Sequence, residues 1–563
     1  MSTECYPIST LFSTTKLFRD FLAMGDVSDS PVRTWYGAPP MAGAWMPAAT
    51  SVPPKSAEHR AALANALHQQ STRFGAGPAT LANIEKIRSG ARAVVTGQQV
   101  GLLGGPLLTL LKAATAVARA RQVSAASGIE HVPMFWLATE DHDLAEVDQV
   151  SLLSKTSVET LRLSQRHLHA NTPVGNVPLG PEIERVLDQA CELLGYASVC
   201  DLLRECYATP AADGTAPTFA TSFARLMTKL FAAHGLIVLD ASERSFHALA
   251  SNTLRYALEH AAELESALLA RTAELERDGY HAQVLVKPGA SLLFLVGEGG
   301  TRQPLRRSSD DIWKIGNGST ARTYSTAELL EVLDRAPERL SPNALLRPVF
   351  QDELLPTTAY VGGPAEIAYF AQSQVLYERI LGRVTPILPR LSATLIEPAI
   401  DTVMDQHELS FPDGLGTGEA LAQKLGARAM PFEAKRRLAD AGNALDEALK
   451  AAQGYLSSLD ESLGRSAEVS ASKMRYQMNR MRRLAANSEL QRESSLRKHA
   501  DAVTLHLYPH GHPQERLIGG AWFLAAWENA HGSAPGETAG SGLIDRLVIE
   551  AANQCPGHLV IRI

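Results

Sequence analysis

The sequence predicts an α/β protein: a Rossmann-like core built on a parallel sheet and carrying insertions, followed by an α-helical coiled-coil domain. Three observations carry this reading. The run Ala93-Val94-Val95, a Gly-rich loop, a helix opening at Pro106-Leu107-Leu108 and lasting to about Gln122, and a second β run from Val132 to Ala138 follow one another. That is the length of a βαβ unit, whose parallel strands need a crossover of nearly fixed hand. A later apolar run, Gly235 to Asp240, ends on a carboxylate and extends the α/β region to about residue 400. Finally, Leu438, Leu445, Leu449, Ala452, Leu456, Leu459 and Leu463 recur at heptad steps, and Met474, Met478 and Met481 share a face of the next helical stretch.

Along the chain, residues 1–90 form an N-terminal lead-in packed on the core, with a Pro-rich stretch (Ser30 to Pro54) and an Ala-rich helical run (Ala57 to Gln70). Residues 91–400 form the core, within which Ala282–Val286 and Leu292–Val296 read as a hairpin around Lys287-Pro288-Gly289. Residues 401–430, with the Gly-rich Pro412–Gly418, read as a linker. Residues 431–504 read as a coiled coil or helical hairpin, broken near Gly464-Arg465-Ser466 so that it returns antiparallel. Residues 505–563 form a C-terminal segment returning to the core. A chain of 563 residues is too long for one hydrophobic core, which fits several units.

Composition excludes several classes. Hydrophobic residues at 45% and charged residues at 20% suit a folded protein, not a disordered one. With 53 Lys+Arg against 60 Asp+Glu, the net charge of -7 offers no global field for a polyanion, so nucleic acid is not an expected partner. No stretch is long and apolar enough for a membrane span, and the N-terminus lacks the basic and apolar regions of a signal peptide. The cysteines Cys5, Cys191, Cys200, Cys206 and Cys555 contain no CxxC pair, so neither a disulfide framework nor a zinc site is expected; a reducing cytoplasmic setting is.

Four segments carry candidate chemistry. The first is Thr96-Gly97-Gln98-Gln99 through Gly104-Gly105-Pro106, a strand-to-helix loop whose glycines and helix N-terminus suit a phosphate or carboxylate. It matches neither the Walker nor the dinucleotide pattern, and the alternative is a tight structural turn. The second, Glu140-Asp141-His142-Asp143, follows a strand and so falls where open α/β sheets bind ligands. These four residues suit positioning an amine, general base catalysis or holding Mg2+ for a nucleotide, with helix capping as the alternative. The third, Asn343 to Tyr369, offers Arg347 as a carboxylate clamp and Gly362-Gly363-Pro364 as a second loop-to-helix device. Its alternative is a structural salt bridge and a helix start. The fourth, Leu505 to Arg516, offers Tyr508, Gln514 and Arg516 to grip a nucleotide; His510 and His512 lack the further ligands of a zinc site, and no metal is assigned. Lys473 opens a basic helical run that suits phosphate or, alternatively, a solvated face.

Five stretches, TGQQVGLLGGP (96–106), FWLATEDHD (135–143), GYHAQV (279–284), LLRPVFQDELLPTTAYVGGPAEIAYFAQ (345–372) and YPHGHPQER (508–516), occur in order with a coiled coil before the last. Together they resemble the bacillithiol biosynthesis cysteine-adding family (BshC), across nearly the whole chain. The resemblance implies a Rossmann-like ligase core with connecting-peptide insertions and homodimers formed through the coiled coil. It also implies addition of cysteine to glucosaminyl-malate, an amino-sugar conjugate, and a nucleotide bound near the coil. Amide formation is uphill in water, so the expected nucleotide is ATP or ADP, with cleavage to AMP and to ADP both left open. The core also resembles, distantly, class I synthetases such as pantothenate synthetase, but Leu102–Pro106 lacks the paired histidines of their adenylating loop and no KMSKS-like loop is present. Two other readings stay open: a non-catalytic nucleotide-binding coiled-coil dimer, and a nucleotidyltransferase.

Overall fold

Both ends of the chain meet in one small sheet: β1 (Thr3–Tyr6) pairs antiparallel with the last strand, His558–Arg562. The computed structural model describes residues 3–11, 14–27, 29–164, 171–210, 214–297, 300–309, 311–316, 321–532 and 536–563. Here the expectation of no disulfide is corrected, because Cys5 and Cys555, 550 residues apart in sequence, are joined with Cα atoms 5.9 Å apart. Sequence spacing gave no hint of it, since the pairing depends on where the two termini return to the core.

The predicted βαβ unit is present as β2 (Arg92–Gln98), α1 (Leu108–Ser127) and β3 (His131–Leu137). Further on come β4 (Ile237–Asp240), α2 (Arg347–Leu354), β5 (Thr357–Gly362), α3 (Pro364–Leu381) and β6 (Ile387–Pro389). The central sheet runs β6-β5-β2-β3-β4, and every pairing is parallel. Both faces are covered, which is why its strands read as near-continuous apolar runs. Val94, Val361 and Leu388 pack toward Ala116 and Ala120 of α1, while Val95, Met134, Trp136 and Leu239 pack on the opposite side. An antiparallel five-stranded sheet from within residues 290–342 is an insertion on this core.

That insertion corrects the predicted hairpin. Ala290–Val296 pairs with Arg302–Ser309 and Leu340–Pro342, not with residues 282–286. The Gln372 side chain instead satisfies that stretch: the Val284 N–H donates to Gln372 Oε1 at 2.9 Å, and Gln372 Nε2 donates to the Val284 carbonyl at 2.9 Å.

After β7 (Ala393–Ile396), the stretch 401–430, read as a linker, is mostly helical, with α4 spanning Gly418–Ala429. Leu421 and Leu425 of α4 share a core with Val503 and Leu507, and the glycines nearby serve close packing: a Cβ at Gly414 would meet Leu507 at 2.4 Å. The coiled coil comprises α5 (Phe432–Leu459) and α6 (Glu461–Arg492), followed by α7 (Ser494–Leu507). The break falls at Asp460, four residues before the predicted one, because Asp460 caps α6 by accepting from the Ser462 N–H at 2.8 Å. Gly464 lies inside α6, where a Cβ would strike Ser457. Finally α8 (Gly520–His531) and α9 (Ser541–Asn553) pack back on the core, and β8 (His558–Arg562) closes the terminal sheet between β1 and β7.

Candidate functional site

The carboxyl ends of β2, β3 and β5 open into a cavity of about 340 Å³, where an open parallel sheet is expected to bind a ligand. Gly97, Gln98, Gln99, Asp141, Arg347, Gly363 and Arg516 line it, so residues from all four candidate segments converge there. Gly97 is required by the sheet itself, since a Cβ would sit 2.9 Å from the Trp136 carbonyl oxygen. Gln99 Nε2 donates to Asp141 Oδ2 at 2.9 Å and fixes that carboxylate at the rim.

Other predicted residues lie behind or away from the cavity. Thr96 is buried and donates to the Val361 carbonyl at 2.8 Å. Gly104 and Gly105 have positive φ and form a tight buried turn, where the Gly104 N–H donates to Tyr207 Oη at 2.9 Å. Amides spent on packing are not offered to an anion. Gly362 is likewise buried, with its carbonyl accepting from the Arg390 N–H at 2.9 Å. Glu140 is bonded to buried His247 at 2.9 Å, and His142 lies 3.4 Å from Arg302 of the inserted sheet. Asp143 caps the short helix Leu144–Val147, accepting from the Ala145 N–H at 3.0 Å. Of the nucleotide candidates only Arg516 lines the cavity. Gln514 is spent on the Leu395 backbone and the His506 carbonyl, Tyr508 lies partly buried beside the α4–α7 core, and Lys473 is exposed on α6.

The residues that sequence reasoning missed are Lys112, Tyr360, Glu366, Tyr369 and Arg390, all of which line the cavity. Buried Lys112 donates to the Gly97 carbonyl at 2.7 Å and to Gln98 Oε1 at 2.8 Å, and forms an ion pair with Glu366. Burial pushes the Lys112 ammonium below its ordinary pKa, against the opposing pull of Glu366. Burial opposes charge on Glu366 too, but Lys112, the Gly363 N–H and Tyr360 together hold it below the usual carboxylate range. Tyr360 Oη donates to Glu366 at 2.6 Å.

Arg347 differs from these paired charges. Its guanidinium donates to Gln351 at 3.0 Å and to Tyr369 Oη at 2.9 Å, and stands 5.4 Å from the Tyr360 ring centroid. Among the described residues no carboxylate lies at ion-pair distance from it. Burial works against the cation, yet Tyr369, Tyr360 and the more distant Glu366 hold its pKa above the ordinary value. Burial raises the Tyr369 phenol to about 12, so it remains a neutral donor. The far wall is built by Arg390, whose guanidinium grips Glu515 through both carboxylate oxygens, at 2.9 and 2.6 Å. A walled-in guanidinium without an ion-pair partner among the described residues, Arg347, and an anchored carboxylate, Asp141, in a single cavity suit a substrate bearing a carboxylate and an amine.

Comparison with known proteins agrees with this architecture. The description "Bacillithiol biosynthesis BshC, N-terminal Rossmann-like domain" matches residues 1–391, and "Bacillithiol biosynthesis BshC, C-terminal coiled-coil domain" matches residues 393–529. A Koribacter versatilis protein named "Putative cysteine ligase BshC" is 42% identical over 564 residues, covering 100% of both chains. Proteins of the same name from Solibacter usitatus and Symbiobacterium thermophilum are 37% and 32% identical, covering 93% and 82% of this chain and 95% and 84% of their own.

Proposed function

The chain belongs to the bacillithiol biosynthesis BshC family, and from that premise we propose that it is a cysteine ligase whose reaction centre is the cavity at the ends of β2, β3 and β5. The reaction is the joining of the cysteine carboxylate to the amine of glucosaminyl-malate. The observation that carries this reading is Arg347, a guanidinium walled in by phenols and an amide with no carboxylate of its own among the described residues, in the same cavity as Asp141.

Lys112 and Glu366 neutralise one another, so Arg347 supplies the local positive field. Arg347 and the neutral Tyr369 phenol hold a substrate carboxylate, and Asp141, oriented by Gln99, accepts a hydrogen bond from the incoming amine. The carboxylate must be activated before an amine displaces its oxygen, which makes ATP the expected co-substrate. Arg516 at the rim, an exposed guanidinium without a carboxylate partner among the described residues, fits its phosphates.

The test is a reaction of the purified full-length chain with cysteine, glucosaminyl-malate and ATP with Mg2+, following the new thiol by labelling chromatography and the nucleotide product in parallel. Turnover is expected, and Arg347→Gln and Asp141→Asn each lower kcat/KM by roughly 10²–10³-fold, the scale for losing one aligned polar partner. His142→Ala, outside the cavity lining, costs less than about tenfold on the same scale. Wild-type rates in both Arg347→Gln and Asp141→Asn would sink the assignment.

A further inference from the structure

We propose that Cys5 and Cys555 form a thiol–disulfide exchange site, open to small-molecule thiols and disulfides, that fastens the N-terminal strand beside the Arg390 wall of the cavity. The two sulfurs come from opposite ends of the chain, 550 residues apart, and meet where β1 lies along β8. Cys5 is exposed on an edge strand, whereas Cys555 is half-buried in the turn before β8, so an incoming thiolate reaches the Cys5 sulfur and releases Cys555. Two of the three remaining thiols, Cys200 and Cys206, are buried and compete poorly. Burial pushes both Cys200 and Cys206 up to about 12, with Cys191 adding to the shift at Cys200, and a protonated thiol is not a nucleophile.

What the bond restrains follows from the sheet order. Among the described residues β1 has a neighbour on one side only, and it pairs with β8 through four residues, Thr3 to Tyr6. Beyond the disulfide, the Glu4–Arg562 ion pair at 2.6 Å and the ring contact between Tyr6 and Phe411 hold the strand. The chain leaving β1 then runs behind the cavity: Ile8 and Phe18 line one small pocket with Cys555 and Arg390, and a second with Arg390 and Arg516. Arg390 and Arg516 also line the main cavity, so the clamp stands one layer behind its wall.

The exchange is balanced as follows. One cysteine thiolate attacks a small disulfide, forming a mixed disulfide and expelling one small thiolate. The second cysteine thiolate then attacks the protein sulfur of that mixed disulfide and expels the other. Two electrons pass from the cysteine pair to the small disulfide, and the two protons pass to the released thiolates. Cysteine and cystine are the probe couple.

The experiment equilibrates the full-length protein with graded cysteine and cystine, quenches with acid and N-ethylmaleimide, and reads alkylation of each cysteine by mass spectrometry. Alkylation of Cys5 and Cys555 falls together in one two-electron transition as cystine rises, while Cys200 and Cys206 do not change. Cys5→Ser stops at a cysteinylated Cys555. Hydrogen–deuterium exchange of residues 3–11 is faster in the reduced protein, and its Tm is lower by roughly 2–5 °C, the scale for losing one cross-link in a large chain. Full alkylation of both cysteines in excess cystine overturns the proposal, as does unchanged exchange of residues 3–11 between the two redox states.

Discussion

The central sheet and the coiled coil each hold the residues that the other would be expected to carry. Every residue of β3 is buried, yet around its carboxyl end the protein keeps charged groups such as Lys112, Glu366 and Arg390 inside. In α5, by contrast, only Gly442 and Leu449 of 28 residues are buried, and Leu459, Leu463, Val469 and Met481 at the tip and along α6 stand in water. Charge inside and hydrocarbon outside both cost free energy, so neither persists without a return. In the core the return is a ligand cavity. Along the coil we propose that it is a second copy of the chain, the role the family resemblance implies for the coil.

The sharpest way to break the comparison is to unbalance a buried charge. Arg390 and Glu515 are 5% and 3% exposed, and Glu515 also accepts from the Ala393 N–H at 2.8 Å. Arg390→Met leaves that carboxylate buried without its counter-charge, and costs about 3–5 kcal/mol in urea unfolding. Replacing both, as Arg390→Met with Glu515→Leu, recovers a large share of this loss. If the single change costs under about 1 kcal/mol, the value typical of a solvated pair, the core is not the dry environment described here.

How much of this was legible in the sequence depended on whether the signal was local. β2, α1 and β3 were readable because a doubly covered parallel sheet writes itself as apolar runs joined by a helix. Gly97–Gln99 and Asp141 were readable as cavity walls because each lies at or just beyond a strand end, and Arg347 because its charge stands in an apolar frame. Tyr360, Glu366, Tyr369 and Arg390 were not, since their convergence depends on β5 lying between β2 and β6, a strand order that the sequence does not encode locally. Lys112 did leave a trace, as the only charge between Leu107 and Ala118. The Gly104-Gly105 turn shows the opposite error: glycines at a helix start suggest an anion, but here they let the chain turn tightly beneath Tyr207.

A second prediction tests the dry interior by pH. His506 and His558 are buried beside β7 and β8. Burial lowers both to about 4, the Leu395 carbonyl opposing at His506 and Glu515 opposing at His558. Each imidazole is also matched as a neutral group: His506 Nε2 is 3.1 Å from the Leu395 carbonyl, and His558 lies 2.8 Å from Ser392 and 2.9 Å from Thr394. Because the unfolded histidines bind protons near pH 6.5 and the folded ones do not, stability is level above 6.5 and falls as pH drops toward 4. The loss reaches roughly 3 kcal/mol per histidine. His558→Gln flattens part of that slope in urea titrations between pH 7 and 4.5. Glu515, whose pKa lies below the usual range, is lost only at still lower pH, which keeps the two effects apart. An unchanged slope would mean that His558 is protonated in the folded chain.

The smallest expected effect on stability tests the other half of the comparison. Leu463 and Val469 are 45% and 58% exposed near the tip of the coil, so Leu463→Ser with Val469→Ser removes little buried surface from the single chain. Unfolding of the core should shift by under about 0.5 kcal/mol, as for other surface changes. Self-association should respond far more, because apolar side chains that contribute nothing within one chain gain their stabilisation from burial against another. Sedimentation velocity therefore reads a wild-type dimer and a variant shifted toward monomer at the same concentration. If the variant and wild type sediment alike while the core loses several kcal/mol, the outward apolar face stabilises the chain internally, and the contrast between the two regions disappears.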